Sequence, residues 1–209
     1  DLVGAKLCNA RLSAFMPLDC SSMPPPTDPL EASLADLWLL TATPMSSEAR
    51  VSFRRGVMEM TESWIWELQN HIQQRIPDPI DYLEMRRRTF GSDLTMNLAR
   101  ITHGGNLPPE LFETRPLRGL ENASQDYACM LNDVFSYQKE IQFEGELHNM
   151  VLVVQNFLRL DAEQAVLVVN DLMTSRVHQF ENIIETELPS VVESFDLDEA
   201  HQATLAGGV

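Results

Sequence analysis

The chain has 209 residues, and its 31 acidic residues against 15 lysines and arginines give a formal net charge of −16. Hydrophobic residues make up 44% of the sequence, which is typical of one globular domain and excludes a disordered chain. The acidity argues against nucleic acid and anionic membranes as partners, because both attract basic surfaces.

In the first half of the chain, apolar residues recur with the period of an α-helix. We predict helices, in chain order, over residues 7–18, 30–43, 47–74, 80–90 and 94–101. Prolines at 24–26 and in the PDP segment at 77–79 separate them, because proline removes a backbone donor and clashes with the preceding turn. Ser46 is a suitable N-cap for the longest of these helices, and Gly91 interrupts the helical pattern that follows residue 80.

The second half of the chain predicts further helices over residues 116–143, 148–159 and 162–188. Loop signals lie between the predicted helices, at Gly104, Gly105, Pro108, Pro109 and Gly145. Two valine-rich runs at 151–154 and 166–169 favour strands by composition, but both lie in stretches without turn residues, so we assign them to buried helices. We expect roughly the last fifteen residues to be frayed. The prediction is a single all-α domain over residues 1–209.

The three cysteines, Cys8, Cys20 and Cys129, are too few and too scattered for a disulfide framework, and no Cys/His spacing suggests zinc. We expect reduced thiols and a cytoplasmic location. No apolar run approaches the ~18 residues of a membrane helix. The chain begins DLVG, without an initiator methionine or a signal-peptide pattern, so we expect it to start inside a longer protein.

One polar stripe on the predicted helix over 116–143 suggests a metal site. Asn132, Ser136 and Glu140 stand at positions i, i+4 and i+8 and share one helix face. An amide oxygen, a hydroxyl and a carboxylate are hard ligands suited to Mg²⁺, and Lys139 beside them could meet a phosphate. The alternative from spacing alone is an ordinary solvated helix face. Asp133 turns away from the stripe, so we expect it to bind a neighbouring Arg or Lys.

Residues 132–140, NDVFSYQKE, match the NSE motif of class I terpene cyclases, (N/D)DxxSxxKE, at every specified position. The longer run NDVFSYQKEIQFEGELHN resembles the bacterial germacradienol/geosmin synthases, most closely their C-terminal domain. Segments 13–19, 84–95 and 114–117 support the resemblance, which covers nearly the whole chain. It implies an all-α class I terpene synthase bundle.

The resemblance also implies site roles. It assigns one Mg²⁺ to Asn132, Ser136 and Glu140. It places the diphosphate against Lys139 and against Arg86, which lies 46 residues before Asn132. The segment Thr89, Phe90 and Gly91 resembles the family's helix-break effector, where an exposed carbonyl can stabilise a cation.

Several aromatic residues are candidates for lining the pocket, because π faces stabilise carbocations. These candidates are Trp64, Phe90, Phe135 and Phe157. Core packing is the alternative for each of them. Of the consecutive arginines 86–88, only one can face the pocket, and the others are expected to be solvated or salt-bridged. No pair of histidines has zinc-ligand spacing, and we expect His148 to make an ordinary polar contact.

The second metal motif of the family does not occur in this chain. Class I cyclases also bind Mg²⁺ through an upstream aspartate-rich motif that begins with Asp-Asp, and the chain contains no such pair. In the geosmin-type domains this motif lies just before the point where the chain begins, so the N-terminal part of the bundle is expected to be missing. We expect the chain alone to bind Mg²⁺–diphosphate weakly and to be inactive.

By resemblance, the parent enzyme forms germacradienol from farnesyl diphosphate in an N-terminal cyclase domain, and geosmin plus acetone from germacradienol in a second domain like this chain. The implied reaction is a protonation-initiated cyclisation and fragmentation in a Mg²⁺-dependent pocket, with pyrophosphate as a bound co-ligand. The sequence identifies no proton donor. Two alternatives remain: a sesquiterpene cyclase that ionises farnesyl diphosphate, and a catalytically incomplete helical interaction domain.

Overall fold

The computed structural model describes residues 1–103 and 107–208. All regular secondary structure within these two ranges is helical, so the all-α prediction is confirmed. The α-helices, in chain order, are α1 (Leu2–Leu12), α2 (Pro29–Ala42), α3 (Ser47–Gln73), α4 (Pro79–Thr89), α5 (Ser92–His103), α6 (Arg115–Lys139), α7 (Met150–Leu158), α8 (Ala162–Asn182), α9 (Leu188–Ser194) and α10 (Glu199–Gly208). Short 3₁₀ helices span Ser13–Phe15 and Pro109–Glu113.

Capping residues explain where the helices of the first half begin. Ser46 accepts a backbone hydrogen bond at the start of α3, which ends at a left-handed Gln74. Asp78 caps α4, whose first residue is Pro79; a proline there is tolerated because its missing N–H would have no helical partner. The predicted breaks at Ser46 and at residues 77–79 are confirmed.

Helix α6 is the centre of the bundle and packs against α8, α7 and α4. The main core cluster draws on these four helices and includes Tyr82, Met130, Val151, Val154 and Val169. Both valine-rich runs contribute to it from within helices, as predicted. Val151 and Val154 reach the same core because residues three apart share one helix face.

Two of the predicted long helices are interrupted by π-helical turns. Helix α6 ends at Lys139, and a π turn over Glu140–Glu144 leads to Gly145, which has φ +66°. The stretch predicted as one helix over 162–188 divides into α8, a π turn over Ile183–Glu187, and α9. Pro189, near the start of α9, has no N–H to donate to the carbonyl four residues earlier. The α-helical hydrogen-bond pattern is therefore interrupted there by a π turn.

The two ends of the chain also differ from the prediction. Helix α1 begins at Leu2, where Asp1 caps it, and ends at Leu12 rather than at residue 18. Residues 199–208, predicted to be frayed, form α10. Leu197 and Leu205 are buried in one apolar cluster with Leu117 and Leu120 of α6, and this packing stabilises a short helix that its own sequence would not.

The predicted loop at Gly104 and Gly105 lies outside the described residues. Within the described ranges, no helix is long and apolar enough to cross a membrane. Cys8, Cys20 and Cys129 are free thiols, and only Cys129 is buried.

Candidate functional site

The polar stripe lies at the C-terminal end of α6, and each of its oxygens has a different environment. Asn132 Oδ1 accepts a hydrogen bond from Arg86 Nη2 at 3.3 Å. Glu140 Oε2 accepts one from Asn149 Nδ2 at 2.9 Å. Ser136 Oγ, one turn from each, is buried and has no hydrogen-bond partner in the part of the chain that the structure describes. A buried oxygen without a partner costs free energy unless a ligand completes it, so this donor set fits a divalent cation.

Asp133 points away from the stripe into the core, as predicted, and holds Arg86. Its side chain is fully buried, and its Oδ1 lies 2.7 Å from Arg86 Nη2. Its Oδ2 accepts hydrogen bonds from the Tyr82 hydroxyl at 2.6 Å and from Met150 N at 2.9 Å. Burial raises the pKa of Asp133, while the Arg86 guanidinium opposes that shift. This buried network fixes Arg86 beside Asn132.

Asn149 connects the buried network to the stripe. Its Nδ2 donates to the backbone oxygen of Asp133 at 2.7 Å as well as to Glu140 Oε2. The residue is completely buried, so its amide cannot exchange these partners for water. Asn149 therefore orients the Glu140 carboxylate.

The break between α4 and α5 lies at the predicted effector segment. Gly91 has φ +81°, a left-handed conformation that glycine adopts without steric cost. The Thr89 carbonyl accepts a hydrogen bond from Trp64 Nε1 at 3.1 Å. Arg86 Nε and Thr89 Oγ1, three residues apart on α4, are both buried and have no hydrogen-bond partner among the described residues. The break thus contains two polar atoms that a ligand would satisfy.

The other cations near the site have different partners. Arg87 forms a bidentate pair with Asp126, at 2.7 and 3.0 Å, and Arg88 is exposed. Of the three arginines, only Arg86 therefore reaches the stripe, as expected. Lys139 is exposed beside the stripe, and its Nζ lies 3.0 Å from Glu144 Oε1. Its diphosphate role stays a prediction.

The four candidate aromatics occupy two kinds of surroundings. Phe90 lies under the Arg86 guanidinium, with 5.1 Å between its ring centroid and Arg86 Cζ. Trp64 Nε1 donates a hydrogen bond to the Thr89 carbonyl at the same helix break. Phe135 on α6 and Phe157 on α7 are strongly exposed, at 83% and 61%. Neither of these two rings stacks on another aromatic ring in the described ranges. Their pocket role stays a prediction.

An apolar cavity of about 360 Å³ lies toward the N-terminal half of α6. Its lining includes Met96, Phe112, Leu117, Leu120 and Phe180. Ser124, also in the lining, stands eight residues before Asn132, which places it about 80° around α6 from Asn132. At 1.5 Å per residue the separation along the helix is about 12 Å. Asn132, Ser136 and Glu140 are not among the described residues that line the cavity, so the stripe and the cavity are separate features of α6.

Sequence reasoning missed Tyr82 and Asn149. Tyr82 precedes its partner Asp133 by 51 residues, and no local pattern connects the two. Asn149 ends the run NDVFSYQKEIQFEGELHN, so the quoted segment contained it, but its bond to Glu140 depends on the π turn that brings the chain back.

Comparisons with known proteins were made on both sequence and fold. The family model described as "Terpene synthase family 2, C-terminal metal binding" matches residues 1–179. Sesquiterpene synthase 1 of Postia placenta is 31% identical over 165 residues, which cover 79% of this chain and 48% of that protein. Pentalenene synthase of Streptomyces avermitilis is 27% identical over 176 residues, covering 84% and 52%. The chain thus spans about half the length of these curated relatives.

Two solved structures share the fold. Linalool/nerolidol synthase from Streptomyces clavuligerus, in complex with 2-fluorogeranyl diphosphate, has a TM-score of 0.82 at 20% identity, covering 97% of this chain and 69% of that one. Germacradien-4-ol synthase from Streptomyces citricolor has a TM-score of 0.79 at 22% identity, covering 97% and 64%. The fold is therefore the α-helical fold of class I terpene synthases. With the family model matching most of its length, the chain belongs to the terpene synthase family 2 C-terminal metal-binding family.

Proposed function

We propose that this chain supplies one half of the metal-binding pocket of a Mg²⁺-dependent terpene synthase. The observation that carries the proposal is the buried, unpartnered Ser136 Oγ between Asn132 and Glu140. Three hard oxygen donors on adjacent turns favour Mg²⁺, which takes oxygen ligands and completes its shell with water and phosphate oxygens. A bound Mg²⁺ supplies positive charge that offsets the charge of a diphosphate.

The chain's own residues have distinct roles in this proposal. Asn132, Ser136 and Glu140 hold the cation, and Arg86 donates to the diphosphate from the position that Asp133 fixes. Lys139 adds a second positive charge near the anion. The apolar cavity along α6 receives the hydrocarbon, and Trp64 and Phe90 border the helix break.

For the reaction, we propose conversion of germacradienol and water into geosmin and acetone, with pyrophosphate as a bound co-ligand. Support comes from the resemblance of residues 132–149 to the C-terminal domain of germacradienol/geosmin synthases. Protonation starts the cyclisation, fragmentation releases acetone, and water supplies the oxygen of the remaining twelve-carbon product. We further propose one domain over 1–209 that acts in the bacterial cytoplasm, linked in its parent protein to an N-terminal cyclase domain.

A second candidate is a sesquiterpene cyclase that ionises farnesyl diphosphate. Arg86 beside Asn132 favours it, because this pair would contact a substrate diphosphate as readily as free pyrophosphate. The names of the Postia and Streptomyces relatives also point toward sesquiterpene synthesis in those proteins. A third candidate, a catalytically incomplete interaction domain, predicts that Mg²⁺ and pyrophosphate together leave the melting temperature unchanged.

Product analysis separates these candidates. The chain, and a version extended upstream to include an aspartate-rich motif, are incubated with Mg²⁺ and either germacradienol or farnesyl diphosphate, with and without pyrophosphate. Formation of geosmin from germacradienol supports the germacradienol reaction. Consumption of farnesyl diphosphate without any conversion of germacradienol supports the sesquiterpene cyclase. Turnover of neither substrate by the extended version contradicts both.

A pair of serine variants connects activity to the site. In the version extended upstream, Ser136→Ala should abolish most turnover, whereas Ser175→Ala, a change at an exposed serine on α8, should leave it unchanged. Equal activity of the two variants would contradict the assignment of Ser136 as a ligand.

A further inference from the structure

A second group of metal-ligating side chains lies outside the α6 stripe. His71 stands near the end of α3, while Glu146 and His148 lie between the π turn and α7. Each offers a ligand atom, and these atoms lie within 4.8 Å of one another. Because 75 residues separate His71 from Glu146, no sequence spacing pointed to the group, although the polar contact expected for His148 is present.

Glu146 is the centre of the group. Its Oε1 lies 3.2 Å from His71 Nε2 and 2.6 Å from His148 Nδ1. In a tetrahedral site with metal–ligand bonds of about 2.0 Å, neighbouring donor atoms stand about 3.3 Å apart. The contact to His71 already has this separation, and the contact to His148 has to open by less than about 1 Å.

Surrounding groups hold these side chains in place. Glu146 Oε1 also accepts hydrogen bonds from Leu147 N at 2.7 Å and from His148 N at 3.0 Å. The His148 side chain is only 2% exposed. Its Nε2 lies 3.1 Å from Asn70 Nδ2, and Asn70 Oδ1 accepts a hydrogen bond from Arg75 Nε. Metal-binding histidines donate their second N–H to an acceptor, so the Asn70 amide, which here presents its Nδ2 donor, has to rotate when His148 ligates a metal through Nδ1.

We propose that His71, Glu146 and His148 form a second cation site that binds a divalent transition metal of the Zn²⁺ class. Two imidazole nitrogens and one carboxylate oxygen suit Zn²⁺ or Co²⁺, whereas Mg²⁺ prefers oxygen ligands alone. Nδ1 of His148 faces the Glu146 acceptor and Nε2 faces the Asn70 Nδ2 donor, so the imidazole carries its one proton on Nδ1. Ligation through Nδ1 moves that proton to Nε2 by exchange with solvent, with no net release of protons. Asn70 accepts it after its amide rotates, and Arg75 Nε then loses Asn70 Oδ1 as its acceptor.

The position of the site gives it a structural role. A bound ion joins the end of α3 to the segment immediately before Asn149, and the Asn149 amide orients Glu140. Metal binding should therefore stabilise the native chain, because an ion that binds only the folded state adds its binding free energy to stability.

Cobalt titration tests the proposal directly. Metal-free protein in excess Mg²⁺, which saturates the oxygen-rich stripe, is titrated with Co²⁺ and followed by visible absorption, and Zn²⁺ is followed by melting temperature. We expect one equivalent to bind, with the absorption of a four-coordinate nitrogen and oxygen site, and a rise in melting temperature with Zn²⁺.

Variants assign the ion to these residues. His71→Gln and Glu146→Gln should each weaken Co²⁺ binding at least tenfold, whereas His178→Gln, an exposed histidine on α8, should bind like the parent. Asn70→Asp should bind more tightly, by about tenfold, because a carboxylate accepts the Nε2 proton without rotating. Circular dichroism checks that each variant is folded.

Two results would overturn the proposal. One is parental Co²⁺ affinity in a folded His71→Gln variant. The other is loss of Co²⁺ binding in Glu140→Gln, since that result would place the ion at the α6 stripe instead.

Discussion

Removing the charge of Asp133 should destabilise the protein more than any single change at the stripe. Its side chain is completely buried and its partner Arg86 is only 12% exposed. Removing one partner of a buried ion pair costs about 3–5 kcal/mol, because the other charge is left uncompensated. Asn in place of Asp133 keeps the shape and loses the charge. Its amide nitrogen accepts no hydrogen bond, so either Arg86 on one side or Tyr82 and Met150 on the other lose their acceptor. We therefore expect Asp133→Asn to lower the free energy of unfolding by about 3–5 kcal/mol.

Urea unfolding followed by circular dichroism measures this loss. Asp171→Asn, an exposed change on α8, is the matched control and should stay within about 0.5 kcal/mol of the parent. Tyr82→Phe removes one hydrogen bond to the same carboxylate and should cost about 1 kcal/mol. Because the two residues share a network, the double variant should be non-additive by at least about 0.5 kcal/mol. A loss under about 1 kcal/mol for Asp133→Asn would refute the inference that Arg86 is left as an uncompensated buried charge when the Asp133 carboxylate is removed.

Three further predictions concern the stripe, the helix break and the loop before α7. Ser136→Ala should leave the free energy of unfolding within about 0.5 kcal/mol, because the hydroxyl has no partner to lose; calorimetric titration should show Mn²⁺–pyrophosphate binding weakened about tenfold. Gly91→Ala should cost about 1–2 kcal/mol in thermal unfolding, because φ is +81° there and the new Cβ would lie 3.1 Å from Met60 Sδ. For Glu146, the hydrogen bond from His148 lowers the pKa from 4.5 to about 2, so its stabilisation is complete above pH ~4.5 and is lost as the pH falls toward 2. The stability difference between parent and Glu146→Gln, followed by urea unfolding from pH 7 to pH 3, should shrink by about 1–2 kcal/mol after allowance for partial exposure; a difference that does not change with pH would contradict this assignment.

The helices and the motif were predictable because their signals are local. Caps such as Ser46 and Asp78 act within one turn, and the i, i+4, i+8 spacing of the stripe is fixed by helix geometry. The π turn after Lys139 was not predictable, since nothing in its sequence marks a change of register. The frayed C-terminus was a wrong prediction for a related reason. Leu205 is buried by α6, and a partner 85 residues away leaves no mark on the local pattern.

The contacts that orient the site were the least predictable, because they join distant segments. Asn132 was named from its spacing with Ser136 and Glu140, and Arg86 through a family resemblance; the structure brings Arg86 Nη2 and Asn132 Oδ1 within 3.3 Å. Tyr82 was not named at all, although it fixes Asp133. Buried polar residues of this kind do not stand out in a sequence, since only the partner shows why burial is tolerated.

Two adjacent residues on α6 have different surroundings, one open to a ligand and the other buried in the core. Asn132 is exposed to receive a ligand, while Asp133, 100° further around the helix, is buried and pairs with Arg86. Asn149 then ties the Asp133 backbone to the Glu140 carboxylate. The position of Glu140, the proposed metal ligand, therefore depends on the packing of α7 against α6. If Glu140 holds the cation as proposed, cation binding and folding are thermodynamically linked, and loosening the α6–α7 contact raises the ion concentration needed to fill the site.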